Sequence, residues 1–139
     1  MCQDDLLSGK SVLLVEGESH PAEHILGLLK TLGCGTVVPA TSLGEAEISA
    51  AADHFDLALL EVNLPNGTQA VQFGRCLSAK GVRIVFMSGF NPKDTARATR
   101  GFEFIEKPVS LSRLKAALQR AILRAPADTP RRSGQRIAR

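Results

Sequence analysis

The sequence predicts a three-layer α/β sandwich around a doubly wound, five-stranded parallel sheet. Three observations lead there: five short apolar runs, helix-forming segments between them, and a length of 139 residues, enough for one domain and too short for two. A run that is apolar at nearly every position suits a strand covered on both faces, and a parallel sheet with helices on either side provides that cover. Right-handed crossovers then distribute the helices over two layers.

Each element follows in order. Residues 11–15 are the first apolar run, which ends in Glu16-Gly17-Glu18. Ser19 and Pro21 open a helix in which Ile25, Leu28, Leu29 and Leu32 recur at i, i+3, i+4 and i+7 until Gly33 stops it. Residues 36–40 form the second strand, and Ser42 with Glu45 makes a capping box for a helix to about His54, its apolar face mostly alanine. The third strand, 56–60, is followed by the breaker Pro65-Asn66-Gly67, and Ala70, Phe73 and Leu77 then mark a helix that stops at Gly81. Residues 83–87 are the fourth strand. The stretch 91–101 has few apolar residues at helical spacing, so a fourth helix there is short and loosely held. The fifth strand, 102–105, leads to Lys107-Pro108, and Ser110 caps a last helix with Leu111, Leu114, Ala117, Leu118, Ala121 and Ile122 on one side. Residues 11–124 therefore read as the domain, 1–10 as a short N-terminal extension, and 125–139 as a basic, disordered tail.

Composition removes several classes of function. No apolar run nears the roughly 20 residues that span a bilayer, and no basic region followed by an apolar stretch begins the chain. Cys2, Cys34 and Cys76 are odd in number and widely spaced, which suits small buried hydrophobes in the cytoplasm better than disulfides or zinc. The net charge of +3 invites a nucleic-acid reading, but Arg131, Arg132, Arg136 and Arg139 against Asp128 place all of it in the tail. The body is neutral. A tail without aromatic residues offers nucleic acid only sequence-blind attraction.

In a doubly wound sheet the reactive site lies beyond the carboxyl ends of the strands. Those ends carry Val-Leu-Leu-Val-Glu-Gly-Glu (12–18), Asp-Leu-Ala-Leu-Leu-Glu-Val-Asn-Leu-Pro (56–65), Phe-Met-Ser-Gly (86–89) and Glu-Lys-Pro (106–108). In order and spacing they resemble the receiver domain of two-component response regulators over residues 11–124. The resemblance implies a flavodoxin-like fold with strand order 2-1-3-4-5, a signalling module rather than an enzyme, and no catalytic residues. It also implies a role for each matching position: Glu61 at the phosphoacceptor position, Ser88 as the switch hydroxyl, Lys107 as the phosphate-binding lysine and Phe104 as the aromatic that reports the switch state. The metal site would draw on Glu16, Glu61 and the Asn63 carbonyl.

Two acids depart from the family pattern. Glu61 stands where an aspartate accepts phosphate, and Gly17 replaces one acid of the metal-binding pair, so no cofactor is expected and any Mg²⁺ would be weakly held. Glutamate also shifts the nucleophile by about 1.5 Å, a displacement that can cost about 10²-fold in rate. Three readings of Glu61 follow: a built-in mimic of the phosphorylated state, a salt bridge to Lys107 that fixes one shape, or slow phosphorylation on Glu61 itself, which would make the chain a phosphoryl-accepting regulator or phosphate sink. A nucleic-acid-associated protein recruited by its tail is the reading from another class.

The fragment Phe-Met-Ser-Gly-Phe and the short fourth-helix region also look like a subgroup of stand-alone receivers. Output then passes through partners: a histidine kinase or phosphotransfer protein, or a downstream effector, docking on the surface of the fourth helix, fifth strand and fifth helix, with a homodimer as a further option. Neither membrane nor nucleic acid is an expected partner. His20-Pro-Ala-Glu-His24 matches a zinc-peptidase pattern and Gly9-Lys10-Ser11 the end of a phosphate-binding loop. The first lacks a third ligand, and the second runs into a strand, so neither is read as a site.

Overall fold

The computed structural model describes residues 5–65, 68–89 and 97–123. Its strands are β1 (Ser11–Val15), β2 (Thr36–Ala40), β3 (Leu57–Glu61), β4 (Arg83–Ser88) and β5 (Glu103–Glu106). The helices are α1 (Ser19–Thr31), α2 (Leu43–Ala52), α3 (Val71–Ala79) and α4 (Leu111–Leu123). All five strands pair in parallel in the order β2-β1-β3-β4-β5, as the sequence predicts.

Side-chain alternation along each strand divides the core into two layers. Val12 and Leu14, Leu57 and Leu59, Val85 and Met87, and Ile105 face Ile25, Leu29 and Leu32 from the α1 side and Leu114, Ala117, Leu118 and Ala121 of α4. Leu13 and Val15, Ala58 and Leu60, and Ile84 and Phe86 point the other way, toward Ala46 of α2 and Leu77 of α3. Burial on both faces is what makes these strands read as unbroken apolar runs.

Local signals set the ends. Ser42 Oγ accepts the Glu45 N–H at 3.1 Å, while Glu45 Oε1 reaches back to the Thr41 N–H at 2.7 Å, one residue earlier than the usual capping box. Gly33 and Gly81 close the turns after α1 and α3 at φ of 90° and 96°. β3 begins one residue later than expected because the Asp56 carboxylate accepts the Ser11 N–H at 2.8 Å and acts as a cap. α2 ends at Ala52 because Asp53 is already extended.

Other departures are larger. Leu7, which no periodicity marks, is fully buried, and its N–H donates to the Leu32 carbonyl at 2.9 Å. Cys34 is buried, which pushes its thiol up, but Cys76 is exposed on α3 rather than buried as expected. Most of the fourth-helix reading and all of the tail reading fall on residues 90–96 and 124–139, outside the described residues, as does Cys2. Among the described residues no helix is long and apolar enough to cross a membrane.

Gly74 on α3 is fixed by packing. A Cβ there would lie 2.5 Å from Phe86 Cζ and 3.0 Å from Leu60 Cδ1, and both rows of atoms are fully buried. Overpacking of this kind costs about 1–3 kcal/mol, against roughly 1 kcal/mol gained by placing alanine in a helix. We expect Gly74→Ala to lower stability by about 1 kcal/mol in urea denaturation. A stability gain would mean that Phe86 has room to move.

Candidate functional site

The strand register brings the site together. Val15 pairs with both Ala40 and Leu60, Glu61 with Met87, and Ser88 with Glu106, so β1, β3, β4 and β5 end at one level. Glu16 follows β1, Glu61 closes β3, Ser88 closes β4 and Lys107 follows β5. The backbone locks these ends: Glu16 N–H donates to Ala40 at 3.0 Å, Val62 N–H to Met87 at 2.9 Å, and Lys107 N–H to Ser88 at 2.9 Å.

An ion triad occupies the centre. Lys107 Nζ lies 2.6 Å from Glu16 Oε1 and 2.7 Å from Glu61 Oε1. The two carboxylates are 3% and 6% exposed, so the ammonium is their main compensation for lost water. The remaining carboxylate oxygens are also engaged: Glu16 Oε2 accepts the Glu18 N–H at 3.3 Å and Glu61 Oε2 the Asn63 N–H at 3.0 Å. The Asn63 side-chain amide donates to Ser88 Oγ at 3.1 Å.

Protonation follows from this burial. Desolvation raises the Glu61 carboxyl above the usual range; the Lys107 hydrogen bond, the Asn63 N–H and the Lys107 charge pull it back, and the Glu16 charge adds to the rise. Burial alone would lower Lys107, but hydrogen bonds to Glu16 and Glu61 and their charges lift it above the ordinary lysine value. The two signs agree and the windows differ. The raised carboxyl contributes stability fully below its ordinary pKa and loses it as pH rises through the raised value, and the raised ammonium contributes fully below the ordinary lysine pKa and loses it as pH rises through its own raised value.

No protein-family model matches the chain, and no curated protein matches it. Solved structures do. The chain is similar to a CheY-like response regulator receiver domain from Methylobacillus flagellatus, with 27% identity and a TM-score of 0.70 over 81% of this chain and 98% of that one. It is also similar to SdrG from Sphingomonas melonis Fr1, with 24% identity and a TM-score of 0.73 over 86% and 98% of the two chains. The PhyR response regulator REC domain of Erythrobacter litoralis gives 18% identity and a TM-score of 0.74 over 88% and 97%. The chain has the fold of response-regulator receiver domains.

Within this fold, Glu16, Glu61, Asn63, Ser88 and Lys107 form one connected group. Phe104 stands apart on β5, half-buried against the α2–α3 side of the core, and lines an open cleft of about 430 Å³ with Arg113, Ala116 and Arg120. Asn63 does more than its expected carbonyl role, since its N–H and side-chain amide join Glu61 to Ser88. The Asp-to-Glu difference at 61 could have signalled a longer reach toward Lys107; nothing in the sequence marks the Asn63 amide.

The donor set does not suit Mg²⁺. An octahedral cation needs oxygens at about 2.0–2.1 Å. Here Lys107 and the Glu18 and Asn63 N–H groups already engage both oxygens of each carboxylate, with an ammonium between the two groups. Among the described residues no three His, Cys, Asp or Glu side chains are grouped so as to hold a metal ion. Gly17 contributes no donor, and Pro65 covers it: a Cβ at 17 would lie 2.6 Å from Pro65 Cγ and nearer still to Cδ.

The triad should govern local stability. Removing one member of a buried ion pair costs about 3–5 kcal/mol; we expect about 3 kcal/mol for Lys107→Met, because Lys107 is 20% exposed. Adding Glu16→Gln and Glu61→Gln should recover most of that loss in urea denaturation. Equal stability of Lys107→Met and the unaltered protein would show that the carboxylates do not depend on the ammonium.

Proposed function

We propose that this receiver serves two-component signalling without being phosphorylated, as a regulator that acts through protein partners rather than as an enzyme. Glu61 is its built-in negative charge. The observation that supports phosphorylation independence is the Glu61–Lys107 contact: a carboxylate oxygen sits 2.7 Å from the lysine, the salt bridge that fixes one shape of the pocket, and such a fixed charge imitates a phosphoryl group chiefly through its sign. The likeness to response-regulator receivers supports the signalling role.

The imitation is partial, since a carboxylate carries −1 and two oxygens against about −1.5 to −2 and three for a phosphoryl group. It is also permanent. The other Glu61 oxygen is held by Asn63, which bonds Ser88 in turn, so charge and switch hydroxyl belong to one network. Acceptance of a phosphoryl group by Glu61 is disfavoured by the same contacts, because the oxygen that would attack is committed to an ammonium and the cation that would offset incoming charge lacks free donors.

The surface for partners in this proposal comprises residues 97–101, β5 and α4, where Phe104 and the arginines of α4 line the cleft. A histidine kinase, a phosphotransfer protein or an effector would meet a surface whose state is set by the chain itself. In this reading nucleic acid is not a partner.

Incubation with a small-molecule acyl phosphate and Mg²⁺, read by intact mass, tests the proposal. The expected result is an unchanged mass at every time point. A stoichiometric phosphoryl adduct that Glu61→Gln abolishes would overturn it in favour of a phosphoryl-accepting regulator.

A further inference from the structure

We infer that the Asn63 side chain is the relay by which Glu61 sets the Ser88 hydroxyl, and that Gln69 aims this relay from the surface. The inference rests on the proposed reading of Glu61 as a built-in charge and names the residues that carry its effect. Both Glu61 oxygens have other partners, the Lys107 ammonium and the Asn63 N–H, so the tie to Ser88 runs through residue 63. There Asn63 Nδ2 donates to Ser88 Oγ at 3.1 Å. Ser88 is buried, so water does not make good a bond lost when the amide turns away.

Asn63 can pass on a change at Glu61 because its own N–H leans on a side chain. On either side, main chain bonds to main chain: Val62 N–H donates to the Met87 carbonyl at 2.9 Å and Leu64 N–H to the Thr68 carbonyl at 2.8 Å. The Asn63 N–H donates instead to Glu61 Oε2 at 3.0 Å, a charge-assisted contact. Weakening it tilts the peptide that carries Asn63, and a side chain with a single carbon between Cα and amide carries that tilt to Nδ2. The amide also has a fixed sense. Gln69 Nε2 donates to Asn63 Oδ1 at 3.5 Å, and the two residues face each other across an antiparallel bridge. An asparagine amide accepts on one side and donates on the other, so a donor at Oδ1 turns Nδ2 toward Ser88. Gln69 is exposed, which brings the far end of the network within a partner's reach while Ser88 stays buried.

The Ser88 amide resonance of the full chain, followed by nitrogen-15 NMR, tests the relay in a double-mutant cycle, which isolates a pairwise coupling. Asn63→Ala removes the relay and keeps the N–H that binds Glu61. Glu61→Gln should displace the Ser88 resonance when Asn63 is present, and the displacement should shrink about threefold or more in the Asn63→Ala background. Because Glu61→Gln disturbs the ion triad, a second cycle leaves the triad intact. Gln69→Ala, at an exposed position, should displace Ser88 in the presence of Asn63 and leave it in place without it. Equal displacements in both backgrounds, or none in either, would sink the inference, since an amide that only satisfies a buried hydroxyl changes stability without carrying a signal. A phosphoryl adduct on Glu61 would instead overturn the proposed function and leave both displacements as expected.

Discussion

One lysine holds the pocket. Glu16 and Glu61 arrive from neighbouring strands with almost no access to water, and two carboxylates so placed repel each other and resist desolvation. The Lys107 ammonium between them makes this arrangement tolerable, and it can do so only because β5 ends level with β3 and its lysine N–H is pinned to Ser88. Strand register, pocket charge and the engagement of Asn63 all depend on that contact. The pocket keeps one excess negative charge after pairing, which is consistent with a Glu61 carboxyl that burial raises despite the lysine.

The two core layers supply the rigidity that this requires. Phe86 meets Phe102 edge-on with ring centroids 5.4 Å apart, and Arg75 lies over the other ring while donating to the Ala98 carbonyl at 3.1 Å. Residues 97–102 are thereby tied to α3 and to the middle of the sheet. The close approach at Gly74 belongs to the same assembly, since only a residue without a side chain lets Phe86 reach its position.

Much of this was legible because the signals are local or periodic. Apolar runs such as Leu13 to Val15 exist because both faces of the sheet are covered, Ser42 announces α2 through its own oxygen, and the four strand-end motifs lie where winding direction changes. What escaped notice depends on contacts between distant residues. Leu7 has only Leu6 as an apolar neighbour, between Asp5 and Ser8, so no period could mark it as core. At Gly17 the sequence shows only the lack of an acid, and the packing of Pro65, almost fifty positions away, is invisible in it. His24 is exposed, and nothing local announces that its Nε2 lies 2.8 Å from the Val109 carbonyl oxygen.

That last contact bears on how the pocket is held from behind. Val109 is two residues beyond Lys107, and its carbonyl is anchored to α1, on the outside of the sheet. The segment carrying the ammonium is therefore clamped at both ends, by Ser88 within the sheet and by an imidazole on a helix. Lys107 is thereby joined to α1 as well as to the sheet, through a backbone path only two residues long.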